Sequence, residues 1–401
     1  MTLKNNNKMN QKESDITVIV DTEALAVFCQ SLAGERYVTV DTEFLRETTY
    51  YPKLCLIQVA GSASAALIDP LAKGIDLGPF FDLMANKAVL KVFHAARQDI
   101  EIIVKLAGLV PTPLFDTQIA AMVCGFGDQV GYEAIVRKLA GAQIDKSSQF
   151  TDWSRRPLSH KQMAYALSDV THLRTVHDAL MVEIAKDGRI AWLEEDLADL
   201  SDPEAYKVEP NNSWKRIKAR IQSKKQLAVL MTVAAWRERE AQAKDVPRGR
   251  ILKDEAVAEI AIQVPTTREA LQQLRLLPRG SADSVIGKGI LAAVAEAQTL
   301  DHSQIPSPRG RGDEMTAAQE AVAEVLKLAL KIVCEEKGIA PKLLANSSDI
   351  DAIAVDDNAK VHTLHGWRHE AFGRTAIDIK HGRAVIGMRN GRAAIMAHDA
   401  T

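Results

Sequence analysis

At 401 residues, with 47% hydrophobic and 25% charged residues and a formal net charge of -2, the chain exceeds one ordinary core. It also lacks any global basic field that would by itself announce nucleic acid. Aromatics at 5% disfavour a surface built from many base-stacking platforms, and Cys29, Cys55, Cys124 and Cys334 form no CxxC pair, so neither a zinc knuckle nor a disulfide framework is expected. A reducing cytoplasm fits this cysteine usage. No apolar run approaches the roughly 20 residues that cross a bilayer, so no membrane role is expected.

Residues 1–15 are Lys- and Asn-rich without an apolar core, which predicts a disordered tail rather than a signal sequence. From residue 16 to about 82, short apolar segments at 17–20, 38–40, 54–60 and 65–68 read as strands and 22–32 as a helix. An antiparallel meander beginning with the strand at 37–44 is the simple solution. That strand ends Asp41-Thr42-Glu43-Phe44, and alternation puts Asp41 and Glu43 on one face with Thr42 opposite. Paired carboxylates at a buried strand end call for a hard cation, Mg²⁺ or Mn²⁺. On its own, the same spacing is also that of a solvated strand edge.

Residues 89–94 read as a further buried strand, and 95–106 as a helix behind it. Asp99 lies near that helix's start, where a dipole or capping role competes equally with chemistry. Asp116-Thr117 reads as a helix cap. In the helical run from His160, Tyr165 and Asp169 are four apart and share a face, a spacing that suits a phenol beside a carboxylate but also an ordinary surface contact. An α/β domain ending near Lys186 follows.

In order and spacing, Asp41-Thr42-Glu43-Phe44, then His94 to Glu101, then Tyr165-x-x-x-Asp169 resembles the three motifs of DnaQ-like 3'→5' exonucleases. Leu54 to Val59, Leu67-Ile68-Asp69-Pro70-Leu71, Phe115-Asp116-Thr117-Gln118 and Thr151 to Leu158 resemble the ribonuclease D family. The resemblance implies a ribonuclease-H-like fold over residues 16–186 and two divalent cations, Mg²⁺ or Mn²⁺, held by Asp41, Glu43, Asp99 and Asp169. It also implies Tyr165 as the residue that orients the attacking water. For substrate contacts, Phe44 and Leu45 are expected beside the terminal base and His94, Gln98 and Trp153 near the nucleotide, with core packing the stronger reading for Leu45 and an equal one for Trp153. Arg155 and Arg156 are weighed as phosphate contacts against plain solvation.

Pro203 and Glu209-Pro210-Asn211-Asn212 mark a linker at 187–208. Lys215, Arg216, Lys218, Arg220, Lys224 and Lys225 then follow with no intervening acid, which predicts phosphate contact, with a solvated helical face as the ordinary alternative. The text through Asp254 resembles the HRDC module, a small helical bundle that assists nucleic-acid binding, over 209–297. A second connection is expected at 298–312 and a degenerate second HRDC-like domain at 313–401, with a helix at 316–337. Near the end, 375–379 and 384–388 read as strands, and Asn390-Gly391 as a type I′ hairpin turn before 392–396.

The fold class expected is thus an α/β ribonuclease-H-like exonuclease domain followed by mainly α-helical HRDC-type domains. The resemblance implies a metal-dependent 3'→5' exoribonuclease that releases 5'-mononucleotides from RNA with a free 3' end, with tRNA precursors as the substrate. A 3'→5' exodeoxyribonuclease and a non-catalytic RNA-binding protein are the alternatives. The absence of polymerase or helicase motifs weighs against the first, and the intact acidic set against the second.

Overall fold

The computed structural model describes residues 16–301, 303, 305–306 and 315–398. The tail expected at 1–15 and part of the connection expected at 298–312 lie outside the described residues. The chain forms two compact units: Met1–Phe44, Leu54–Gln118 and Gly131–Lys186 make one, and Leu45–Lys53, Ile119–Val130 and Asp187–Thr401 the other.

In the first unit, β1 (Val18–Ile19) leads into α1 (Thr22–Leu32). This helix starts where the carboxylate of Asp21, on extended backbone, accepts the Ala24 N–H at 2.9 Å, and its Leu25, Cys29 and Leu32 face the core at helical spacing. Next come β2 (Tyr37–Leu45), β3 (Lys53–Ala60), β4 (Ala65–Ile68), α2 (Gly78–Ala85), β5 (Leu90–Phe93), α3 (Arg97–Ala107), β6 (Leu114–Asp116), α4 (Thr117–Val123), most of which is counted with the second unit, α5 (Tyr132–Leu139) and the long α6 (His160–Lys186). The strands lie in one sheet in the order β1-β4-β3-β2-β5-β6. β3 and β4 are antiparallel, as the meander requires, whereas β2 and β5, β5 and β6, and β1 and β4 run parallel. Tyr37 to Val40 are buried on both faces, as expected of a strand inside a mixed sheet covered by helices.

Register decides where β2 delivers its acids. Thr39 pairs with Val92, and β5 ends at Phe93, so Asp41 is the first β2 residue to run past the end of β5. The carboxylates therefore emerge at the C-terminal ends of parallel strands, where open α/β sheets place their ligand crevice.

The second unit is mainly helical. Helices Lys224–Lys244, Asp254–Gln263 and Val285–Thr299 share a core that includes Leu230, Val233, Val257, Ile260, Ile290 and Val294. Helices Ala317–Lys337 and Ser347–Val355 share another with Phe372 and Ala376. A capping box from Thr316 and Gln319 starts helix Ala317–Lys337, and Gly338 in the left-handed region stops it.

Two stretches differ from the sequence reading. Residues 187–208, expected as a linker, contain helix Ile190–Ser201, whose Trp192 stacks on Trp367 with ring centroids 4.4 Å apart and planes 8° off parallel. Residues 375–379, expected as a strand, lie in helix Arg374–Lys380. Their β-branched residues suggested extension, but Ala376 is fully buried in the core of helix Ala317–Lys337, and packing overrides local propensity. The following hairpin is as expected: Ala384–Arg389 pairs antiparallel with Arg392–Ala397, and Asn390 and Gly391 take φ of 52° and 76°.

Candidate active site

Asp41, Glu43, Asp99, Tyr165 and Asp169 come together at this C-terminal end of the strands. Two hydrogen bonds from one residue explain how α6 is set against β2: the Thr39 hydroxyl donates to the Val170 carbonyl at 2.8 Å and, more weakly, to the Ala60 carbonyl at 3.3 Å. Thr39 is two residues from Asp41, and Val170 follows Asp169, so this buried contact brings the two acids side by side. Asp99 arrives on the first turn of α3.

Asp99 and Asp169 are buried, Asp41 and Glu43 are half-buried, and the carboxylates repel one another. Desolvation is the largest cause in each case. It pushes Asp41 up to about 6, against a backbone hydrogen bond that favours the charge. Glu43 is pushed up to about 10, with further repulsion from Asp41, Asp169 and Asp99. Asp99 and Asp169 are both held well above the ordinary carboxylate range, and each also feels Asp41. Burial raises the Tyr165 phenol too, and its hydroxyl hydrogen-bonds the Asp169 carboxylate.

Acidic oxygens of this kind suit a hard divalent ion. Among the described residues no three acidic, imidazole or thiol side chains stand in a finished ion-binding cage. The fit rests on the donor set and on one orphaned atom: Asp169 Oδ1 is buried and has no hydrogen-bond partner among the described residues. A cation would satisfy that oxygen and relieve the repulsion, so the residues present fit the group the sequence implies.

Several supporting residues carry no motif of their own. The Thr42 hydroxyl, expected to face away from the acids, hydrogen-bonds Asp99 Oδ1 and favours that carboxylate's charged form. Alternation correctly separates Thr42 from Asp41 within the strand, but Asp99 comes from a helix and can meet either face. The Tyr132 hydroxyl donates to the main-chain carbonyls of Asp169 at 2.5 Å and Ser168 at 3.2 Å, and its ring lies 5.4 Å from that of His94. Buried Asp116 clamps the turn between β5 and α3. Its Oδ1 accepts from Ala95 N at 3.0 Å and Gln118 N at 2.7 Å, and its Oδ2 from Ala96 N at 2.8 Å. Ala95 sits at φ 59°, a region an L-residue enters at a cost, so this clamp holds a strained turn directly before Asp99's helix. The cap foreseen at Asp116-Thr117 is present and reaches further than one helix.

The expected substrate contacts divide. Phe44 and Leu45 are half-buried at the end of β2, and Gln98 is exposed on the first turn of α3. His94 is half-buried, with Nδ1 2.9 Å from the Thr117 hydroxyl. Trp153 is only 2% exposed and packs with its ring centroid 6.2 Å from that of Tyr165, so core packing prevails there. Arg156 is a brace rather than a free phosphate contact, because it bonds both Asp69 oxygens at 2.6 and 2.7 Å and the Cys55 and Trp153 carbonyls. Lys215 and Arg216 belong to the second unit, where both are exposed at the end of the 3₁₀ segment Pro210–Arg216. Among the described residues no helix is long and apolar enough to cross a membrane.

Comparison with known proteins agrees with this geometry. Residues 16–185 match the family model for a 3'-5' exonuclease, and residues 226–294 match the HRDC domain. Ribonuclease D of Nitrobacter hamburgensis is 48% identical over 375 residues, covering 94% of this chain and 98% of that protein. Ribonuclease D of a Jannaschia species is 48% identical over 382 residues, with 94% and 98% covered. Among solved structures, Escherichia coli RNase D, described as an exoribonuclease involved in structured RNA processing, superposes with a TM-score of 0.80 at 29% identity over 92% of this chain and 99% of that one. With an exonuclease domain, an HRDC domain and near full-length relatives of one kind, the chain belongs to the ribonuclease D family and is a 3'→5' exoribonuclease.

Proposed function

We propose that this exoribonuclease depends on two divalent cations, Mg²⁺ or Mn²⁺, releases nucleoside 5'-monophosphates one at a time, and trims the 3' ends of tRNA precursors and other structured RNAs. The observation that carries the reading is the cluster of Asp41, Glu43, Asp99 and Asp169, whose proton affinities are raised by desolvation and mutual repulsion, with one buried oxygen left unsatisfied. Held by Asp41, Glu43, Asp99 and Asp169, the cations would supply activation of the attacking water and charge stabilisation of the departing 3'-oxygen.

The chain's own residues do the rest by placement. Asp41 and Glu43 hold their oxygens beyond the end of β5, while Asp99 and Asp169 approach from α3 and α6. Tyr165, whose phenol is raised above its ordinary value, keeps its proton at neutral pH and acts as a hydrogen-bonding orienter of water, not as a base. Phe44 and Leu45, at the end of the same strand as the first two acids, border the terminal nucleotide, with His94 and Gln98 beside α3's first turn. We assign catalysis to residues 16–186, and phosphate binding to 209–297, where Lys215, Arg216, Lys218 and Arg220 are exposed. Domain 313–401 is read as a second, divergent copy of that module. The E. coli relative's part in structured RNA processing supports the choice of substrate.

The test is a time course on a tRNA precursor labelled at its 5' end, with Mg²⁺, with Mn²⁺ or in chelator, alongside a matched DNA strand. Single-nucleotide ladders shortening from the 3' end, 5'-monophosphate products, and silence in chelator and with Asp41→Ala are expected. Cleavage that persists with Asp41→Ala, or that releases 3'-phosphates, would remove the proposal.

A further inference from the structure

Phe150 is 93% exposed, far more than any other phenylalanine, tyrosine or tryptophan side chain among the described residues. A fully hydrated phenylalanine forgoes the stabilisation that burial of its ring would give. The loop around it is not slack. A 3₁₀ turn at Lys146–Ser148 is capped by Asp145, the Thr151 hydroxyl donates to the Ser148 carbonyl at 2.8 Å, and Gln162 Nε2 on α6 donates to the Thr151 hydroxyl at 3.0 Å. Three residues further on, Trp153 is buried against Tyr165. Phe150 is therefore held outward by a braced segment whose two anchors are the first turn of α6 and the ring beside Asp169. At most ~10 Å of chain separates it from Trp153.

The helix adds a charge to this ring. Lys161, Tyr165 and Asp169 recur at four-residue spacing, so they line one face of α6 on successive turns. Lys161 is exposed and forms no salt bridge among the described residues, though the Asp145 carboxylate is within its electrostatic reach. It lies eight residues from Asp169, about 12 Å along the helix axis. Bases stacked at about 3.4 Å would cover that span in three to four nucleotides. Neighbouring basic side chains are already committed: Lys146 to Glu133 at 2.8 Å, Arg155 to Asp152 at 3.2 Å and Arg156 to Asp69.

We infer that Phe150 and Lys161 form an upstream nucleotide subsite, in which Phe150 stacks on a base of single-stranded RNA about three nucleotides in from the 3' end and Lys161 meets the adjoining phosphate. This rests on the exoribonuclease reading and adds a dependence on strand length. A ring stacked on a base has no sequence preference and contributes about 1–3 kcal/mol. A dinucleotide is too short to reach it.

The experiment compares kcat/KM for a ten-nucleotide single-stranded RNA with that for a dinucleotide, in wild type, Phe150→Ala, Phe150→Trp, Lys161→Gln and Val27→Ala, the last being a control truncation of an exposed side chain on α1. Phe150→Ala should lower the long-to-short ratio about 5- to 150-fold, chiefly through KM. Phe150→Trp should keep the ratio, with its added fluorescence quenched when RNA binds in chelator. Lys161→Gln should lower the slope of log affinity against log salt by about 0.7, the single-strand value for one lost phosphate contact. Val27→Ala should match wild type. An unchanged ratio with Phe150→Ala, an equal loss on both substrates, or no quenching would each overturn the subsite. Failure of the wild-type protein to digest either RNA would instead defeat the enzymatic reading on which it rests.

Discussion

Two glutamates, one in each unit, show the same side chain put to opposite uses. Glu238, completely buried in helix Lys224–Lys244, is met by Arg248, whose Nε and Nη2 lie 2.5 and 2.7 Å from its two oxygens, and by the Tyr50 hydroxyl. Burial alone would raise its proton affinity, but these partners overcome that and hold it below the ordinary carboxylate range. Among the described residues Glu43 forms no such ion pair. Desolvation and three neighbouring acids push it up to about 10. The second unit satisfies its buried charge within the fold, whereas the first leaves its charge to be satisfied by something that binds. Only the latter arrangement is useful for recruiting cations.

The largest effect expected from this contrast is at Glu43. Glu43→Gln should reduce RNA cleavage by at least ~10³-fold, as for loss of a group that organises transition-state charge. In chelator the same substitution should stabilise the first unit. A carboxylate whose folded pKa is raised contributes stability below its ordinary value of 4.5 and loses it as pH rises towards about 10. The chelated wild-type protein should therefore melt at falling temperature from pH 5 to pH 8, by roughly 2–4 °C per kcal/mol lost. A shallower slope is expected for Glu43→Gln. Parallel melting curves for the two proteins would show that Glu43 is not under the stress described.

Arg248→Ala should act in the opposite sense. It leaves Glu238 buried without its cation and costs about 2–3 kcal/mol, discounted because the Arg248 side chain is 34% exposed. Glu238 has a lowered pKa, so its stabilising contribution is present above the ordinary value and is lost as pH falls through the folded one. Denaturant titration across pH 3 to 7 reads this directly. Activity on a dinucleotide should stay near wild type, since Arg248 has no part in the acidic cluster.

A smaller effect separates positioning from chemistry. Asp116→Ala removes two main-chain hydrogen bonds from the turn ahead of Asp99 and a third from Gln118 at the start of α4, and should cost about 1–3 kcal/mol. It should also weaken cation affinity and kcat roughly 10- to 100-fold with KM for RNA little changed, as expected of a residue that orients a ligand. Stability lost without any change in cation affinity would make Asp116 a purely structural cap.

How far the sequence could be read follows from the range of each signal. Asp41 and Glu43 were legible because alternation acts over two residues, and Tyr165 with Asp169 because a helix repeats over four. Bringing Asp99 to them required the ordered motifs, since nothing local shows that α3 starts where β2 overruns β5. Alternation turns Thr42 away from Asp41 and Glu43 within the strand, but it says nothing of a helix arriving on the other side. Tyr132 and the Asp69–Arg156 pair were invisible: the latter joins residues 87 apart in sequence, and no periodicity encodes it. Trp192, in a stretch read as a linker, gave no hint of Trp367, and the β-branched 375–379 segment became a helix through tertiary packing.

A cation entering this cluster must displace the proton that desolvation and repulsion hold on Glu43. Calorimetric titration of the protein with Mg²⁺ or Mn²⁺ at pH 7, in two buffers of different ionisation enthalpy, measures this exchange directly. Glu43, at about 10, is protonated at pH 7 before binding and must be ionised to ligate, so net proton release is expected and should shrink in Glu43→Gln. Cation binding with identical apparent enthalpy in both buffers, or no binding at all, would contradict the account.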